Sequence, residues 1–279
     1  MNLSNKLSSE LERLADIPAL SPVAIELVST LERDVSVTAV EAVIRRDPVI
    51  TARVLSAANA AAWATSAPVV SIHAALLRLG FERVRRLALL ISLYDAVATV
   101  PVARSFWRHS ISVAHIAEAL ARRVAETETA DIALVAGLLH DIGLLVLSRH
   151  YAAAFATMRA AAEERGVPLW EVEREALGMD HAEIGAEVAL HWRLSPLIAD
   201  AIRYHHRPDA APEALRDVAC VLALADGIAS EEPAWDLHEG GDAVSCSTAS
   251  TIEPRMLDEL LDVAREEARR ATTVLESIG

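Results

Sequence analysis

The sequence predicts an all-α protein, and three observations carry the prediction. Hydrophobic residues make up 53% of the 279 residues while aromatics reach only 4%, and alanine and leucine dominate. Ala, Leu, Glu and Arg are strong helix formers, whereas strand-type residues are sparse. Glycine (10) and proline (11) are few, and they fall between amphipathic segments with no βαβ alternation and no fixed-period repeat. The length fits one large or two packed domains.

Each helix has local signals. Residues 3–14 read as a short amphipathic helix. Ser21 and Pro22 form an N-cap and first-turn pair opening "PVAIELVSTLER". Ser36 caps the next helix, which stops before Pro48. Asp47 and Pro48 open "DPVITARVLSAANAAAW". "SIHAALLRLG" ends at Gly80, and "FERVRRLALLISLYDAV" follows. Within these helices Asn59 is expected to bond a backbone group. "RVRR" at 83–86 reads as a solvated face.

Pro101 marks a boundary. "ARSFWRHSISVAHIAEALARRVA" is a long amphipathic helix. "TADIALVAGLLHDIGLLVLSRH" holds one or two helices, with Gly143 near the break. Two helices end at Gly166 and Gly178. Asp180 with Glu183 is a capping-box pattern, and Ser195 with Pro196 repeats the earlier cap pair. "PEALRDVACVLALADGIASE" is a further helix. Residues 231–253 read as a loose loop, followed by a final amphipathic helix.

Composition excludes some functions. A net charge of −14 argues against sequence-independent nucleic-acid binding, which needs a basic surface. Cys220 and Cys246 form no CxxC pair, arguing against a disulfide framework or a thiolate zinc site. The N-terminus lacks a signal-peptide core, and no uncharged run reaches the ~18 residues of a spanning helix. The expectation is a cytoplasmic protein with no membrane partner.

"GLLHDIGLLVL" places His140 and Asp141 together inside an apolar run. A buried charge is costly unless paired or metal-bound. His109, His181, the His205–His206 pair and Asp226 lie on other predicted helices. Taken singly, each has an ordinary reading as a core or surface residue. Together, imidazoles and carboxylates are ligand chemistry for zinc, iron or manganese. Adjacent helical residues project about 100° apart. His140 and Asp141 therefore meet one metal only if a helix end or a partner helix closes the angle.

The order His109, His140–Asp141, Asp226 resembles the H…HD…D signature of the HD superfamily of metal-dependent phosphohydrolases. His181 and His205–His206 extend it to the set of the HD-GYP branch. "DPVITARVLSAANAAAW", "SIHAALLRLGFERVRRLAL", "FWRHSISVAHIAEALA", "AGLLHDIGLLVL", "GMDHAEIGAEVALHWRLSPLIADAIRYHHRP" and "VLALADGIA" together resemble an HDOD domain. The resemblance covers roughly 12–230. It implies an N-terminal helical subdomain over 12–100 packed on an HD-like helical subdomain over 101–230. Residues 231–279, a loop and a helix, fall outside it.

The family resemblance implies a non-catalytic signalling output or scaffold module. Such a module acts by binding a signalling protein or a nucleotide, with one or two divalent ions (Fe, Mn or Zn). Two departures support that reading. Leu144 stands where active HD-GYP relatives carry lysine, and "HHRPDAAPEAL" lacks the glycine and tyrosine of their loop. Arg207 is a weak phosphate candidate. The alternative is a metal-dependent phosphohydrolase. Asp141 would then bridge two metals, with His109, His140 and Asp226 on one and His181, His205 and His206 on the other. The attacking group would be a metal-bound hydroxide rather than a side chain.

Overall fold

The computed structural model describes residues 20–30, 36–59, 68–97, 104–124 and 127–230, together with 258, 261–266, 268–270 and 272–273. Every regular element among them is helical. The expected helix over 3–14 and the loop over 231–253 lie outside the described residues. So does about half of the final helix, of which 258, 261–266, 268–270 and 272–273 are described and helical.

The chain divides into two compact units, one built around Pro18–Pro101 and one around Val102–Arg265. The first holds α1 (Pro22–Ser29), α2 (Val37–Arg45), α3 (Pro48–Asn59), α4 (Ile72–Leu79) and α5 (Phe81–Val97). Its caps are the ones the sequence signals. Ser21 Oγ accepts from Ala24 N at 3.0 Å and Ser36 Oγ from Ala39 N at 3.2 Å. Asp47 Oδ1 accepts from Val49 N and Ile50 N at 2.8 and 3.1 Å. α5 packs against α1, α2, α3 and α4. Asn59 donates to Val69 O and accepts from Val69 N, at 2.8 and 2.7 Å, tying the end of α3 to the segment before α4. The "RVRR" stretch differs from its expected solvated face. Arg83 is exposed, but Arg85 is buried, donates to Thr30 O at 3.0 Å and lies over the Phe81 ring. Its stem follows the apolar side of α5 while its head meets a carbonyl.

The second unit holds α6 (Arg104–Val124), α7 (Thr127–Leu139), α8 (Ile142–His150), α9 (Ala152–Arg165), α10 (Leu169–Leu177), α11 (His181–His191), α12 (Pro196–Arg203) and α13 (Arg216–Ser230). From Ile132 on, α7 is apolar all round, and Ile132 through Ala136, Leu138 and Leu139 are buried. A helix of that kind must be enclosed, and α6, α12 and α13 pack against it. Gly137 allows the close crossing with α6, since a Cβ there would lie 2.6 Å from Ala114 Cα. Among the described residues, Thr129–His150 alone is long and apolar enough to cross a membrane. Its most apolar window is 89% buried inside the fold, and the stretch is two helices.

The break between them falls at His140–Asp141, two residues before Gly143, which lies in the first turn of α8. Gly143 serves contact rather than chain reversal: a Cβ on it would lie 2.0 Å from His181 O. α8 and α11 pack together at that point. Cys220 is buried in α13.

Candidate metal centre

Three segments deliver the first group of donors. α6 supplies His109, the α7–α8 break supplies His140 and Asp141, and α13 supplies Asp226. The helix break resolves the angular problem of two adjacent ligands, because neither residue is in regular helix. Asp141 occupies the N-cap position of α8 but makes no side-chain cap bond. Its carboxylate is directed to the histidines instead. His109 Nε2 lies 3.1 Å from His140 Nε2 and 3.0 Å from Asp226 Oδ1. Asp141 Oδ2 lies 3.1 Å from His140 Nε2 and 3.6 Å from His109 Nε2.

The second group comes from the start of α11 and the segment after α12. His181 Nε2 and His206 Nε2 are 2.8 Å apart. Asp141 Oδ1 faces this side, 3.5 Å from His181 Nε2 and 3.9 Å from His205 Nε2. The two oxygens of Asp141 thus look toward two different donor clusters. Among the described residues, His109, His140 and Asp226 form one tight group, His181, His205 and His206 another, and His140, Asp141 and His205 a third linking them.

The far side of each ring sets which nitrogen is available. His140 Nδ1 lies 2.9 Å from Gly137 O, and His205 Nδ1 lies 2.7 Å from Ile202 O. A carbonyl only accepts, so each Nδ1 carries the proton and a neutral ring presents a bare Nε2 inward. His181 Nδ1 is 2.7 Å from Glu173 Oε2, which also accepts from His181 N at 2.8 Å. Its Nε2 is turned inward in the same way. This is the backing that metal-bound histidines use.

One buried atom bears on whether the donor set fits an ion. His205 Nε2 is buried with no hydrogen-bond partner. An orphaned buried acceptor is uncommon and costs about 1–3 kcal/mol. A cation bound among the clustered nitrogens and carboxylates would satisfy it, so the residues fit a divalent ion.

The electrostatics of the ion-free cluster follow from charge sharing. Burial opposes a charge on His140, yet the Asp141 and Asp226 carboxylates outweigh it and raise the imidazole to about 10. Burial likewise opposes charge on the two carboxyls. His140 and His181 nevertheless hold Asp141 well below the usual range, and His109 and His140 do the same for Asp226. Burial, aided by the nearby His140 cation, lowers His205 to about 4. Burial, with His205 and His181 adding to it, also lowers His206. Most of the second group is therefore already deprotonated for binding at neutral pH.

All seven residues singled out from the sequence are in these clusters. His115, His150 and His191 are not. Leu144 is buried in α8. Arg207 Nη2 is 3.3 Å from Glu183 Oε1 and 3.6 Å from Asp180 Oδ2, so its guanidinium already has anionic partners. Glu173 and Trp170, on α10, are supporting residues that the sequence reading missed. The Trp170 ring stacks on His206 at 5.8 Å between centroids. A signal for Glu173 exists: Leu169, Val172 and Leu177 mark the buried face of α10, and Glu173 falls on that face.

The HDOD domain family matches residues 17–208. The structure is similar to that of a candidate phosphohydrolase from Shewanella amazonensis SB2B, with a TM-score of 0.70 and 28% identity over 99% of both chains. It is also similar to a candidate signal transduction protein from Marinobacter aquaeolei VT8, with a TM-score of 0.78 and 22% identity over 99% of this chain and 65% of that one. This second likeness shows the fold. Ribonuclease Y of Bacillus pumilus (strain SAFR-032) is 30% identical over 126 residues, 45% of this chain. The chain spans 44% of the length of one curated relative that it matches and 18% of ribonuclease Y.

Proposed function

The chain belongs to the HDOD domain family, and from that premise we propose that it is a signal-transduction module carrying a two-ion metal site rather than a working hydrolase. One observation carries the metal reading: the two oxygens of Asp141 face two separate histidine clusters. His109, His140, Asp226 and one oxygen of Asp141 would hold the first ion. His181, His205, His206 and the other oxygen would hold the second. Bound there, divalent ions of the iron, manganese or zinc class supply Lewis-acid polarisation of a phosphoryl group and acidify water.

The non-catalytic part of the reading rests on what surrounds those ligands. Leu144, three residues after Asp141, is 3% exposed and brings no cation to the site. Arg207 is engaged by Glu183 and Asp180. The segment after His206 folds as two short 3₁₀ turns, Pro208–Ala210 and Glu213–Leu215. In this reading the output is binding of a protein partner, or of a nucleotide, with the ions in a structural or sensing role.

A metal-dependent phosphohydrolase is the second reading, and the completeness of the donor set favours it. Likeness to a candidate phosphohydrolase and, over part of the chain, to ribonuclease Y supports the same chemistry. Anaerobic purification with metal analysis, followed by phosphodiesterase assay with manganese or iron, separates the two. The signalling reading expects bound ions and no turnover. Turnover that disappears in both His140→Ala and Asp141→Ala replaces it with the enzymatic one.

Metal affinity is expected to rise with pH. The ion-free protein holds a proton on His140 until the pH approaches about 10. A metal at His140 Nε2 must displace it, so proton and metal compete. One displaced proton gives about a tenfold tighter apparent binding per pH unit between roughly 7 and 9. Titrations in a series of buffers measure the slope. A flat profile contradicts a proton held at His140 and displaced by metal.

A further inference from the structure

The two metal positions proposed above differ in what backs their histidines, and this further inference rests on that reading. His140 leans on the Gly137 carbonyl and His205 on the Ile202 carbonyl, both neutral. His181 leans on the carboxylate of Glu173, which is fully buried in α10. Glu173 Oε2 accepts two hydrogen bonds, from the backbone N–H and from the Nδ1–H of His181. Its other oxygen, Oε1, is buried with no hydrogen-bond partner.

That arrangement is costly for a residue whose task is packing. A buried carboxylate with one oxygen unmatched forfeits solvation that neither hydrogen bond restores. Glutamine could accept the same two hydrogen bonds without the charge. The carboxylate is better explained by a positive charge across the ring, at Nε2 of His181, where the second ion would sit. A carboxylate behind a metal-bound imidazole fixes its tautomer and raises its basicity. α10 adds a second support on the same side, since the Trp170 ring stacks on His206. Its approach to α11 is set by Arg174, which pairs with the two capping-box acids, Asp180 at 3.1 Å and Glu183 at 2.9 Å.

We infer that Glu173 is a positioning residue that makes the second metal position, acting through His181 and not on the first. The test is metal titration of Glu173→Gln and Glu173→Asp beside the wild type, using Mn(II) and Zn(II) for affinity and Co(II) for its visible absorption. The same substitutions are also made in an Asp226→Ala background, where the remaining ion reports the second position alone. Glu173→Gln is expected to weaken that position about 10–100-fold, to leave the first unchanged and to alter the Co(II) spectrum of the second. Glu173→Asp, which keeps the charge, is expected to restore part of the loss. Melting of the ion-free protein is expected to be unchanged or raised by Glu173→Gln, whereas a merely structural role predicts a lower melting temperature. Wild-type binding that Glu173→Gln does not weaken overturns the role of Glu173 and leaves the metal reading standing. Equal weakening at both positions with loss of ion-free stability also overturns it. A wild-type protein that takes up no ion overturns both.

Discussion

Asp141→Ala is expected to take the protein from two bound ions to none, while Asp226→Ala removes only the first. The asymmetry follows from which atoms each carboxylate reaches. Asp226 Oδ1 approaches His109 Nε2 at 3.0 Å and His140 Nε2 at 3.6 Å, both in the first cluster. Asp141 places Oδ2 against those same rings and Oδ1 against His181 and His205. Without it each ion keeps only the ligands of its own cluster, and the second keeps no anionic ligand at all. The loss should exceed the ~10–100-fold that removing an outer partner costs.

The same substitution distinguishes the site from ordinary helix capping. A working N-cap aspartate contributes about 0.5–2 kcal/mol, which alanine removes. Asp141 makes no side-chain cap bond to α8. Its removal is therefore expected to cost metal far more than it costs helix stability. The ion-free protein loses one carboxylate beside His140, and that imidazole can respond by releasing its proton. Metal analysis and thermal melting of ion-free Asp141→Ala measure the two effects separately. Retention of both ions refutes the bridging role.

The parts of this architecture that were legible in the sequence are those decided locally. Ser21–Pro22, Ser36, Asp47–Pro48 and the Asp180–Glu183 box each bond backbone groups two or three residues away. Such signals need no knowledge of the rest of the fold. The seven donor residues were legible by type and order, although convergence of segments from residue 109 to residue 226 is a tertiary fact. What escaped was set by long-range packing. Gly143 was legible as lying near a break, but the reason for a glycine there, the backbone of His181, was not. Arg85 looked solvated because its charge was weighed without its burial against Thr30. Glu173 was passed over among the other acids of "WEVEREALG": its place on the buried face of α10 was readable, but its partner eight residues on was not.

Gly143→Ala is expected to be the most damaging single-methyl change in the second unit. The added Cβ would lie 2.0 Å from His181 O, 2.8 Å from its carbonyl carbon and 3.0 Å from its Cα. All three are backbone atoms, so no side chain can rotate away, and α8 or the start of α11 must shift. Overpacking of this kind costs about 1–3 kcal/mol and occasionally more. With roughly 2–4 °C lost per kcal/mol at this size, the melting temperature should fall by about 2–12 °C. The displacement also has a direction. His181 is held from behind by Glu173 and faces Asp141 in front, so moving its backbone should weaken the second metal position more than the first. Melting of the ion-free protein and metal titration of the folded variant at low temperature read the two consequences. A melting temperature and second-position affinity equal to those of the wild type would show that α8 and α11 are not pressed together at His181, and that the centre does not depend on Gly143.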